Sequence, residues 1–315
     1  MVDAMPEKLS IVIPAYNGKF LDNTLESIAK QTNRQFSLYI GDDCSKDDLR
    51  AIVMKYEKHL PVTYKRFDQN MGQDNLVQQW RRCVEMAQSE QWIWLFPDDD
   101  IMGPDCVEEF YKTLEETDGK YDLYRFGLQL IDRNGKPMYE FSECQKTESA
   151  FDFALARLKG QPYSMAGGFI FSKSAYDRNK GFVEFPAAWC SDDASFIRFG
   201  LRAGICRIDN AKVYWRMSGE NITTQGAKYK TEKLEAVFQY LKWLNRQFED
   251  TRMKPIQKEW VIRQIGMLNS TLSIQECRYA AREANKIWKD GFLNNFIRYF
   301  LLNIKLPGAF KGQEQ

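Results

Sequence analysis

The sequence predicts an α/β protein built on a sheet with parallel strands and helices on both faces. Two observations lead there. Short apolar or β-branched runs alternate with segments whose apolar residues recur at helical spacing, the pattern of consecutive βαβ units. Polar clusters also follow four of these runs, at Asn17, Asp42-Asp43, Asn70 and Asp98-Asp99-Asp100, which is where open α/β sheets bind ligands.

Each element has a local reason. Leu9-Ser10-Ile11-Val12-Ile13-Pro14 reads as a buried strand ended by Pro and the turn-like Asn17-Gly18. Leu21, Leu25 and Ile28 then mark a helix, and residues 36–41 a second strand. Leu49, Ile52, Val53 and Tyr56 give the next helix, residues 62–67 the third strand, and Leu76, Val77, Trp80 and Val84 the third helix. Residues 91–96 form the fourth strand, with Trp80, Trp92 and Trp94 expected in the core. From 121 to 225 the pattern is less regular. It holds a hairpin signal at Asn134-Gly135, a helix near 151–158 and the small-residue stretch Ala166-Gly167-Gly168, and a mixed continuation of the sheet fits it. Beyond 226 the chain reads as helices, with Leu234, Val237, Phe238, Leu241, Leu244 and Phe248 on one face and a break at Pro255. A domain transition is therefore expected near 225.

Composition narrows the function. The 44 Lys plus Arg balance 43 Asp plus Glu, so no global field draws the chain to nucleic acid. Seven cysteines without a Cys-x-x-Cys pair read as reduced thiols. A single histidine, His59, excludes His-rich zinc sites and reads as a solvated helix end, so a metal here must be held by oxygen. The first eight residues do not resemble a secretory leader, and no apolar run reaches the roughly 20 residues that span a bilayer. The expected location is cytoplasmic, with peripheral contact at the inner membrane face as an alternative.

Three adjacent carboxylates after an apolar strand repel one another, and a divalent cation would relieve that repulsion. A solvated acidic turn before the helix near Pro104 is the alternative. The order of the motifs adds a resemblance. Residues 11–17 (Ile-Val-Ile-Pro-Ala-Tyr-Asn), Thr24 to Thr32, residues 40–47 opening Ile-Gly-Asp-Asp, then Asn70-Met71-Gly72 and Asp98–Asp100 are similar, in sequence and in order, to the signatures of inverting family 2 glycosyltransferases. Ser191-Asp192-Asp193 to Arg198 resembles the family's Glu-Asp segment less tightly.

The resemblance implies a GT-A-type fold over residues 1–225, with a nucleotide-binding half (9–120), an acceptor half (121–225) and a helical extension (226–315). It implies a nucleotide diphosphate sugar donor, preferably UDP-linked, contacted by Pro14, Ala15, Tyr16, Asn17, Asp42, Asp43, Asn70, Gly72, Asp98 and Arg216. Asp42 or Asp43 would accept from the uracil ring N–H. Mn²⁺ or Mg²⁺ would be held by Asp99 first, with Asp98 and Asp100 beside it and Asp98 facing the ribose. Strict strand alternation would instead pair Asp98 with Asp100. Asp193, with Asp192, matches the catalytic base, and the same residues also suit a helix N-cap.

Arg216 stands in Arg-Met-Ser where many relatives have Arg-x-His, leaving it either a diphosphate ligand or a surface cation. Trp189, Tyr163, Gly167 and Gly168 are acceptor candidates. The acceptor would be a saccharide or a lipid-linked saccharide, as in surface polysaccharide synthesis. The stripe Phe292, Leu293, Phe296, Ile297, Phe300 and Leu301 would pack on the catalytic domain, a membrane or a second copy. A non-catalytic sugar-nucleotide-binding protein is the competing reading. A nucleotidyltransferase would need an early glycine-rich basic loop, which is lacking, and a glycoside hydrolase would not explain the ordered nucleotide signatures.

Overall fold

The computed structural model describes residues 8–161, 164–219, 227–268 and 272–289. Its first part follows the predicted alternation: β1 (Leu9–Ala15), α1 (Gly18–Ala29), β2 (Phe36–Asp42), α2 (Leu49–Met54), β3 (Val62–Arg66), α3 (Gly72–Val84) and β4 (Trp92–Leu95). There follow β5 (Ile101–Met102), α4 (Cys106–Glu116), β6 (Leu123–Ile131), β7 (Pro137–Glu140), β8 (Thr147–Glu148), α5 (Ala150–Lys159), β9 (Phe169–Ser172), α6 (Lys173–Arg178), α7 (Ser191–Gly200) and β10 (Ile205–Arg216). Three helices complete the described chain: α8 (Lys230–Gln247), α9 (Met253–Met267) and α10 (Ile274–Trp288).

One mixed sheet runs in the order β3-β2-β1-β4-β9-β6-β10-β5, with β7 on β6 and β8 on β10. The pairs β1–β2, β2–β3 and β1–β4 are parallel, as βαβ connections require. β9 enters antiparallel between β4 and β6, and this makes the sheet mixed. Because β4 lies beside β1 while β2 lies on its other side, the chain reverses direction across the sheet at β1. Polar loops are expected to gather at such a switch point.

The core follows from the runs that defined the strands. Leu9, Ile11, Ile13, Leu38, Ile40 and Trp94 are buried with the inner faces of α1 and α4. Trp94 stacks on Phe126 at 4.6 Å, and Trp80 and Trp92 are buried as expected. His59 is exposed in the turn after α2, because that helix ends at Met54.

The described chain forms two compact units. One comprises residues 8–157, 161, 164–184 and 191–219; the other comprises residues 158–160, 185–190, 227–268 and 272–289. In the second unit Pro255 does not break a helix but sits in the first turn of α9, where its missing N–H has no partner to lose. The expected apolar stripe at 292–301 lies outside the described residues, as does Tyr163. No helix among the described residues is long and apolar enough to cross a membrane.

Candidate active site

The loop after β1 is held by carboxylates from elsewhere. Pro14 and Ala15 close the strand opposite Gly41 and Asp42. Asn17 caps α1 by accepting from the Lys19 N–H at 3.0 Å. Asp98 Oδ2 accepts the backbone N–H groups of Tyr16 at 2.8 Å and Asn17 at 3.0 Å, so the first carboxylate of the triplet clasps this loop. Asp47 accepts from the Gly18 N–H at 2.8 Å, which leaves the Tyr16 ring exposed above a fixed backbone.

Asp42 and Asp43 both have internal work. Asp42 Oδ1 accepts from the Ser45 N–H at 2.8 Å, and its Oδ2 from the Tyr64 hydroxyl at 2.5 Å and Arg66 Nη1 at 2.8 Å. Asp43 accepts from the N–H groups of Met71 and Gly72, each at 2.7 Å, and from Arg82 Nη2. Each carboxylate thus takes three donors, out of about four lone-pair directions, and Asp42 is fully buried while Asp43 keeps a small exposed surface. Gly72 is required by this contact, since a Cβ there would lie 2.7 Å from Asp43 Oδ2. Asn70 accepts from the Gln73 N–H at 2.9 Å and so shapes the start of α3.

Tyr64, Arg66 and Arg82 were not anticipated from sequence. Arg66 had a readable signal, because it ends β3 directly across from Asp42. Arg82 had none, as its approach to Asp43 and its stacking 3.8 Å over Phe67 depend on how α3 packs.

The three carboxyls of the triplet diverge. Asp98 faces the β1 loop. Asp99 accepts from the Ser218 hydroxyl, and burial and then the Asp98 charge push its pKa up to about 7. Asp100 is fully buried: Oδ1 accepts the Arg216 N–H at 2.8 Å, and Oδ2 has no hydrogen-bond partner. Burial and the Asp99 charge raise the Asp100 pKa well above its ordinary value.

Arg216 is not a surface cation, being 2% exposed. Its Nε donates to the Asp99 carbonyl at 2.7 Å, its Nη1 to the Arg133 carbonyl at 3.0 Å, and its guanidinium lies 4.7 Å over Phe20. It therefore holds the triplet's backbone and stands among its carboxyls. Among the described residues no three acidic, cysteine or histidine side chains converge as a metal cage. The all-oxygen donor set, with burial and the Asp98 charge acting against a charge on Asp99, fits instead a Mn²⁺ or Mg²⁺ held by one carboxylate and by substrate oxygens.

A second cluster forms at the start of α7. Asp193 is buried in a bidentate ion pair, with Arg157 Nε on Oδ1 and Nη2 on Oδ2, both at 2.9 Å. Asp192 stays partly exposed and accepts the Asp193 N–H at 2.9 Å. Burial of its carboxyl, and then the neighbouring Asp193 charge, push its pKa up to about 7. Ser195 fastens the helix by donating to the Ser191 carbonyl at 2.6 Å and accepting the Val183 N–H at 2.8 Å. Gly167 abuts the triplet's strand: a Cβ there would fall 2.6 Å from Pro97 Cδ, and its carbonyl accepts from Trp94 Nε1 at 2.8 Å. Gly168 is buried beside it, next to Leu128. In the second unit, Trp189 donates to Gln264 at 3.0 Å and carries Lys233 Nζ 4.3 Å over its ring.

Comparisons with known proteins bear on the fold and the family. Crystal structures of residues 1–349 of S. aureus TarS superpose on the chain. The one in complex with UDP-GlcNAc gives a TM-score of 0.59 at 17% identity, over 94% of this chain and 92% of that one, and so shares the mixed α/β GT-A fold. The sequence is 28% identical over 140 residues to the poly(ribitol-phosphate) beta-N-acetylglucosaminyltransferase TarS of Staphylococcus aureus, covering 43% of this chain and 23% of that one. It is 26% identical over 182 residues to the GalNAc(5)-diNAcBac-PP-undecaprenol beta-1,3-glucosyltransferase of Campylobacter jejuni, covering 56% of this chain and 55% of that one. The chain thus spans about a quarter to a half of the length of these curated relatives. The model of the family described as glycosyl transferase family 2 matches residues 10–178, more than half of the sequence, and the chain belongs to that family.

Proposed function

We propose that the chain transfers a sugar from a uridine diphosphate sugar to a hydroxyl of a saccharide, polyol-phosphate or lipid-linked acceptor, with inversion at the anomeric carbon. The observation that carries this reading is the Asp98 clasp on Tyr16 and Asn17, which binds the acidic triplet to the loop at the sheet's switch point. The UDP-GlcNAc complex of TarS supports a uridine donor, and the names of the two curated relatives support acceptors of the polymer and undecaprenol-linked kinds. An undecaprenol-linked acceptor would bring the chain to the inner membrane face.

The residues divide the chemistry. The loops around Asn17, Asp43 and Gly72 hold the nucleotide, and the lone-pair direction left on Asp43, the less buried of the two carboxylates, suits the uracil N–H. Asp99 is the residue to hold Mn²⁺ or Mg²⁺, which when bound would act as a Lewis acid on the leaving diphosphate. We assign the base to Asp192 rather than Asp193, because both oxygens of Asp193 are committed to Arg157 while Asp192 is partly open and titrates near neutrality. As the acceptor oxygen bonds to the anomeric carbon, its proton passes to Asp192. The bond to the diphosphate breaks on the opposite side, and its electron pair leaves with the diphosphate.

The test is turnover with a panel of UDP-sugars. Asp192→Asn should lower kcat by about 10²- to 10⁴-fold while UDP binding, measured by calorimetry, is unchanged. Full turnover in that variant would remove Asp192 from the mechanism, and no UDP binding by the native protein with Mn²⁺ would remove the donor assignment.

A further inference from the structure

The Asp193–Arg157 pair lies beside the base and is not consumed by the reaction just described. Asp193 follows Asp192 on α7, and its N–H donates to Asp192 Oδ1 at 2.9 Å. Its two carboxylate oxygens meet Arg157 Nε and Nη2 from α5, each at 2.9 Å, so the pair is planar-matched and largely shielded from water. Arg157 lies 36 residues earlier in the chain, in the segment where the family resemblance names no site residue. Among the described residues, the charged groups that act on Asp192 are Asp193 on its own helix and Arg157 on α5.

We propose that Arg157 is a positioning residue: through its bidentate grip it fixes the Asp193 carboxylate beside Asp192, and so sets the pH at which Asp192 can take the acceptor's proton. This rests on the assignment of Asp192 as base. The physics is that of two carboxyls sharing one site. Without Arg157, which lowers the Asp192 pKa, the pair would hold one proton in common to higher pH, and Asp192 would be ionised a smaller part of the time near neutrality. With Arg157, both Asp193 oxygens accept from the guanidinium, and the neighbouring Asp193 charge raises the basicity of Asp192. A lone solvated Asp, ordinarily near 3.9, would be ionised at neutral pH but a weak base.

Two substitutions should move the pH profile in opposite directions. Arg157→Gln removes a positive charge and favours protonation of the pair, so the acid limb of kcat/KM should move to higher pH. Asp193→Asn removes a negative charge and leaves Arg157 facing Asp192, so the limb should move to lower pH. Shifts of about one unit either way are expected, each unit being a tenfold change in the ionised fraction well below the pKa. Arg157→Lys keeps the charge and should hold the limb near its native position even if kcat falls.

The experiment is the kcat/KM profile from pH 5 to 9 for the native chain and these variants, with UDP affinity measured alongside. A loss of packing would lower activity without shifting the limb in opposite senses. Limbs that coincide in all variants would overturn the proposal while leaving the base in place. The base assignment fails separately, if Asp192→Asn turns over normally.

Discussion

Single residues carry the clearest tests. Lys233 is 1% exposed, and burial pushes its pKa down to about 8 from the ordinary 10.5. Between those values the unfolded chain binds a proton that the folded chain does not, so folding stability rises as pH climbs from about 8 to 10.5. Native protein should therefore gain melting temperature across that window relative to Lys233→Met; parallel curves would show that Lys233 keeps its proton when folded. At the donor site, Asp99→Asn should remove the Mn²⁺-dependent part of UDP affinity and leave the metal-free part. Asp98→Asn should weaken UDP binding with or without metal, because it loosens the Tyr16–Asn17 clasp, and equal metal dependence in both variants would contradict this division. That carboxylates would stand at these loops was legible in the sequence, since Asp98, Asp99, Asp192 and Asp193 lie in ordered motifs. Their division of labour was not. Asp193 meets a partner on α5, 36 residues away, and Arg216 is tied by its N–H to the Asp100 carboxylate, 116 residues away, and neither contact has a local signature.

At the scale of elements, α10 shows how far local rules reach. Ser273 accepts from the Glu276 N–H at 3.2 Å and Glu276 returns the bond to the Ser273 N–H at 2.7 Å, forming a capping box. Ser273→Ala should cost about 1 kcal/mol of stability, read as a lower denaturant midpoint with an unchanged slope. The segment before α7 does the reverse and departs from local preference. Ala187, Ala188 and Cys190 all have φ between 52° and 64°, in the left-handed region that disfavours side chains. Glycine at Ala187 or Ala188 would relieve that strain, and the stability gained would be at most about 1 kcal/mol, because glycine also adds freedom to the unfolded chain. No sequence rule would place three such residues within four positions. Their conformation is imposed by packing, with Pro186–Ala188 against α8 and the Trp189 indole bonded to Gln264. The alternation of β1 to β4 with their helices was legible because each buried strand and amphipathic helix is specified within its own few residues. The 12-residue β10, with its polar centre and register shift between Arg207 and Lys212, was not.

For the whole molecule, ligand linkage gives the broadest measurement. UDP with Mn²⁺ at about 100 times its Kd should stabilise the native state by about 2.7 kcal/mol, seen as a raised melting temperature that UDP alone does not reach. An equal rise without metal would argue against the Asp99 assignment. The parallel order of β1 to β4 was within reach of the sequence, as connections of this kind leave few alternatives. The antiparallel entry of β9 was not, because it pairs residues about 80 apart with no turn to announce it. That strand also has a mechanical consequence. It hydrogen-bonds to β4 on one side and β6 on the other, so the strands carrying the donor loops and those behind the acceptor cluster form one continuous ladder. Closing the two halves on each other like jaws would have to tear that ladder. Shielding the transferred sugar from hydrolysis therefore falls to side chains and loops moving over a rigid floor, and rate-limiting steps should be sought in loop motion rather than in hinge bending.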